Sequence, residues 1–75
     1  MNLFRADLHY GFEDKDWDDF EYIQADSFAE AEAIVNAYIK TQAGSIDLVA
    51  LTFVTSRVLS RKKVMTAESA ESEPD

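Results

Sequence analysis

From Phe4 onward the chain alternates. Phe4, Ala6, Leu8, Tyr10 and Phe12 fall on one side and Arg5, Asp7, His9 and Gly11 on the other, the period of two expected of a half-buried strand. Glu13 to Asp18 is polar and predicts a turn, while the following DFEYIQA, Asp19 to Ala25, is rich in aromatic and β-branched residues. Together these runs predict a hairpin. The period then changes. Ser27 followed by Glu30 fits a capping box, in which the hydroxyl accepts from the amide three residues on and the glutamate reaches back to the cap. Phe28, Ala31, Ile34, Val35, Tyr38 and Ile39 recur at three- and four-residue spacings, with Glu32, Asn36 and Lys40 elsewhere. This predicts an amphipathic helix from Phe28 to Gln42, ended near Gly44, which can take a left-handed conformation.

After Gly44 the run IDLVALTFVTSRVLS is β-branched and predicts a third strand, too continuously apolar from Leu48 to Val54 for a strand with one wet face. Periodicity is lost from about Lys62. Residues 1–61 therefore form one domain, and 62–75 predict a frayed strand end and a disordered acidic tail. The ββαβ order predicts an α+β fold, with a three-stranded antiparallel sheet in the order 2-1-3 and one helix packed on one face. That is close to half of a ferredoxin-like fold.

A single helix leaves the other sheet face uncovered. If Phe53, Leu51 and Val49 meet the helix, then Leu48, Ala50 and Val54 look outward, joined by Leu3; in the opposite register Phe53 and Leu51 are exposed instead. Either arrangement predicts an apolar patch suited to self-association. With 75 residues the core is small, and a homodimer through the third strand or the open face would add stability.

Charge changes the picture most. The net charge is -8, and it is lopsided: residues 1–26 carry eight acids against Arg5 and Lys15. Such a front half repels nucleic acid and membrane surfaces and is steered toward basic protein surfaces. No apolar run approaches the roughly 20 residues of a bilayer span, and the N-terminal residues do not read as a leader, so a soluble, cytoplasmic protein is expected. The absence of cysteine excludes disulfides and thiolate chemistry and suits a reducing compartment.

The densest stretch is EDKDWDD, Glu13 to Asp19, with five carboxylates, a lysine and the only tryptophan. Asp14, Asp16 and Asp18 alternate like the first ligands of a calcium loop, but the sixth position is Asp19 where glycine is required and the twelfth is Ala25 where a glutamate is required. The carboxylates of Asp14, Asp16, Asp18, Asp19 and Glu21 are instead candidates for electrostatic complementarity with a basic partner, and Trp17 for its apolar anchor. The competing reading, and the favoured one, is that Trp17 folds back on Tyr10 or Phe20. The basic run Arg57, Arg61, Lys62 and Lys63 could touch phosphates, or simply protect a strand edge by charge.

Signals for catalysis are missing. His9 is a lone imidazole on a polar strand face, no serine sits in a nucleophile elbow, and Gly11 and Gly44 are the only glycines, too few for a phosphate loop. No enzyme activity, metal or cofactor is expected. The reading is a small acidic non-enzymatic protein-binding module; the alternative is a structural homo-oligomer with no separate ligand.

The segment Ala25-Asp26-Ser27-Phe28-Ala29-Glu30-Ala31-Glu32-Ala33, set between a strand and a hydrophobic strand, resembles a pattern in small phage-encoded accessory proteins, including some anti-CRISPR inhibitors. The resemblance spans about residues 20–55. It implies a non-enzymatic protein that blocks a host complex by occupying a surface, and it carries over no functional residues.

Overall fold

A computed structural model describes residues 1–56 and 65–66. The elements are β1 (Asn2–Phe12), β2 (Lys15–Ala25), α1 (Phe28–Thr41) and β3 (Ser45–Thr55). The sheet is antiparallel in the order β2-β1-β3. This is the α+β, ββαβ arrangement expected from the sequence, with the first strand in the middle.

The hairpin is tighter than its composition suggests. Phe12 pairs with Lys15, so only Glu13 and Asp14 form the connection and most of EDKDWDD belongs to β2. Aspartate and lysine are poor strand formers, but here continued pairing to β1 outweighs that preference. Glu13 takes a positive φ of 56° while Asp14 does not, which matches the φ signs of a type II′ turn, one that suits the twist of paired strands.

The helix begins at its predicted cap. Ser27 Oγ accepts from the Glu30 amide at 3.1 Å, and the Glu30 carboxylate accepts from the amide of Asp26 at 3.3 Å, one residue before the cap. Such a cap contributes about 1 kcal/mol. The helix ends at Thr41, and Gly44 follows with φ +85°.

One face of the sheet packs against α1. Phe4, Ala6 and Leu8 of β1, Ile23 and Ala25 of β2, Ala31, Ile34 and Val35 of α1, and Ile46 of β3 form a continuous buried core. Leu48 and Leu51 pack on this same cluster. Both of the expected registers for β3 are thereby corrected, since each separated Leu48 from Leu51. The cause is a register shift: Asp7 pairs with Ala50 and Leu8 with Leu48, leaving Val49 as an extra residue, 67% exposed. A bulge of this kind breaks the alternation, so residues three apart share a face. A second shift leaves Val54 without a partner on β1.

The open face is consequently not the apolar patch expected. Cross-strand rows place Tyr22, Arg5 and Thr52 side by side, then Phe20, Asp7 and Ala50, then Asp18, His9 and Asp47. Of the proposed self-association residues, Leu48 is turned to the core, Ala50 lies on this mixed face, and Val54 is at the bulge. Leu3 is only 1% exposed and adds nothing to an exposed surface.

Met65 does not continue β3. Its amide donates to the Tyr22 carbonyl at 2.8 Å and its carbonyl accepts from the Gln24 amide at 2.9 Å, a parallel bridge on the outer edge of β2, and its side chain packs on the core. The basic run at 57–63 and the acidic tail at 67–75 lie outside the described residues.

Candidate protein-docking face

The six residues proposed for partner contact do not share one surface. Strand alternation divides them. Asp16 and Asp18 project from the open face, in rows with Gly11 and His9. Trp17, Asp19 and Glu21 sit opposite Tyr10, Leu8 and Ala6 on the helix-facing side, and Asp14 is in the turn.

On the open face the acids gather around His9. Its ring nitrogen Nδ1 is 2.7 Å from Asp18 Oδ1, and the cross-strand neighbour on the other side is Asp47 of β3. One row therefore reads Asp18, His9, Asp47. The next reads Asp16, Gly11, Ser45. With no side chain at Gly11 the second row is hollow in the middle, and a shallow depression of about 610 Å³ opens there between His9, Asp16, Asp47 and the Glu13–Asp14 turn. Gly11 is held free of substitution by its neighbour, since an added Cβ would stand 2.8 Å from Ser45 Oγ.

The pKa of His9 is raised above its ordinary 6.5, chiefly by the hydrogen bond to Asp18; desolvation, next in size, lowers it, and the charges of Asp18, Asp16 and Asp47 raise it further. The sign follows directly. A folded pKa above the unfolded one means the pair stabilises the fold fully below about pH 6.5 and loses that contribution as pH rises through the folded value. An NMR titration of the single imidazole should give a midpoint above 6.5, and Asp18→Asn should move it down toward the unperturbed value. A midpoint unchanged by Asp18→Asn would show that the pair does not persist in solution.

Toward the core the same face changes character. Arg5 Nη2 and Nε both lie 3.0 Å from Asp7 Oδ1, and the guanidinium sits 4.1 Å from the Phe20 ring centroid. Arg5 is thereby engaged within the molecule, and it separates the acidic end from the rest of the sheet.

On the helix-facing side Trp17 stacks on Tyr10, with centroids 5.5 Å apart and planes 2° from parallel. This is the fold-back arrangement recognised as one of its two options. The indole is still 45% exposed, beside a small apolar notch bounded by Phe12, Gln42 and Ile46. Tyr10 is fixed from below by a 3.3 Å hydrogen bond to the Tyr38 hydroxyl, and burial followed by this bond raises its pKa.

Asp14, Asp16 and Asp18 do not converge as calcium ligands would. Side chains two apart on a strand stand about 6.6 Å from one another, and among the described residues no three His, Asp or Glu side chains are grouped to hold a metal ion. The two members of the acidic face that composition could not supply are His9 and Asp47. They meet only through the β1–β3 register, a contact between positions far apart in the chain.

The fold and this face define an α+β protein whose three-stranded sheet, backed by one helix, carries a clustered acidic end. Comparison with protein-family models, curated proteins and solved structures finds no match to the chain. Among the described residues no helix is long and apolar enough to cross a membrane.

Proposed function

We propose that this protein is a non-enzymatic binding module whose acidic sheet end docks on a basic surface of another protein, as a phage-type inhibitor of a host complex would. The observation that carries the reading is the Asp18, His9, Asp47 row with Asp16 beside it, on the sheet face opposite α1. Exposed charges of this kind act mainly on encounter: they raise association rates and orient the approach, and salt weakens them. Because Trp17 is on the opposite face of β2, it can contribute only where a partner reaches around the hairpin.

The test is kinetic. The parent protein, immobilised, is used to capture a partner from source-cell extract, and the purified partner is then measured against variants. Asp16→Lys with Asp18→Lys should slow association about tenfold at low salt, with the difference shrinking at high salt. Trp17→Ala should leave the association rate nearly unchanged and act, if the notch is engaged, on dissociation. A captured partner that binds the double variant as fast as the parent would remove this face from the interface.

A further inference from the structure

We propose that a second copy of this chain pairs antiparallel with the outer edge of β3, producing a six-stranded sheet with its two-fold axis at Leu51. Among the described residues β3 pairs with β1 alone, along an edge of eleven residues. The usual devices that blunt such an edge are lysines and prolines, and Ser45–Thr55 contains neither. Among the described residues its blunting features are one charge, Asp47 near its start, and the two register shifts. Three of its side chains, Val49, Phe53 and Val54, are large, apolar and between 44% and 67% exposed. Phe53 also meets Phe4 edge to face, and Phe28, on the far side of Phe4, is 52% exposed.

The occupant follows from charge. A chain of net charge -8 approaches its copy at a cost unless the acids are kept apart. The other outer strand, β2, carries Asp16, Asp18, Asp19 and Glu21, and its edge already receives Met65 at Tyr22 and Gln24. The only charged residue in β3 is Asp47. Ser45 lies beside Gly11 at the acidic end of the sheet, so antiparallel pairing sends the two acidic ends in opposite directions. Centred on Leu51, the two Ser45 positions are roughly 40 Å apart along the strand, several times the Debye length of about 8 Å at physiological salt. The same register sets Val49 opposite Phe53 of the second copy, twice, and leaves Leu48 to Val54 uncharged on both sides. A foreign strand would have no such match with itself. Both acidic faces remain available in the assembly.

Sedimentation equilibrium from micromolar to millimolar chain should give twice the chain mass at the upper end. Val49→Lys should raise the dimer dissociation constant about a hundredfold, because the ammonium is set against Phe53 without a counter-charge. Thr52→Lys, exposed on the open face, is the second variant, with circular dichroism confirming that each is folded. The chain has no cysteine of its own, so Ala50→Cys combined with Thr52→Cys should give a covalent dimer on mild oxidation. Asp16→Lys with Asp18→Lys should dimerise as the parent does, which separates this inference from the docking reading. A monomer at every concentration overturns it, as does a dimer that survives both lysine variants or one whose thiols fail to cross-link.

Discussion

Gly44→Ala is expected to destabilise the fold by about 2–4 kcal/mol, the sum of a backbone and a steric cost. The backbone cost arises because Gly44 holds φ at +85°, where an L side chain is strained. The steric cost is more severe. A Cβ at this position would stand 2.5 Å from the carbonyl oxygen of Gly11 and 3.1 Å from Phe12 Cδ2. The first of these is backbone of the central strand, which cannot turn aside as a side-chain tip can. Against a total stability of about 4–11 kcal/mol for a domain of this length, the variant should show a much lower urea midpoint. Gly44→Asn separates the two causes: asparagine tolerates positive φ but still carries a Cβ, so it should recover little. Gly11→Ala should be milder, since its new Cβ would crowd only a side-chain tip, Ser45 Oγ at 2.8 Å, while the Ser45 carbonyl oxygen stands at an ordinary 3.9 Å. If Gly44→Ala unfolds at the parent midpoint, the link from α1 to β3 does not hold the close approach described.

Leu8→Ala should cost about 3 kcal/mol, within the range for leucines emptied from packed cores. Leu8 is 1% exposed on the middle strand, with Leu48 as its partner on β3 and other core side chains around it. Strands paired on both sides cannot close readily over a cavity, so the removed methyl groups leave unfilled space. Val49→Ala is the contrast at concentrations where the chain is monomeric, because a side chain two-thirds exposed there should change stability by less than about 0.5 kcal/mol. Urea unfolding with an unchanged slope checks both. Equal losses from the two would mean that the bulge does not turn β3 as described.

The parts of this fold legible in the sequence are those where a local period and the tertiary contacts agree. Phe4, Ala6 and Leu8 alternate cleanly and are buried together; Ser27 caps the helix it predicts. The parts that were not legible were decided between segments. The start of β2 was hidden because Lys15, Asp16, Asp18 and Asp19 are weak strand formers, yet β1 extends far enough to pair with all of them. The facing of β3 turned on an extra residue at Val49, which no hydrophobic count reveals. The acidic site is half legible: composition points to Asp16 and Asp18, but their separation from Trp17, Asp19 and Glu21 depends on the hairpin register, and Asp47 joins them only through the β1–β3 register. Met65 had no periodic signal at all, because one bridge residue makes no pattern.

The parallel stack of Trp17 on Tyr10 gives the molecule an optical reporter at the hairpin. With one indole in the chain, tryptophan emission, excited selectively at wavelengths the tyrosines do not absorb, comes from a single place, and a ligand settling around the β1–β2 tip would disturb it without any attached dye. Events confined to the far edge of the sheet would leave the same spectrum still, so one cuvette distinguishes the two ends of the protein.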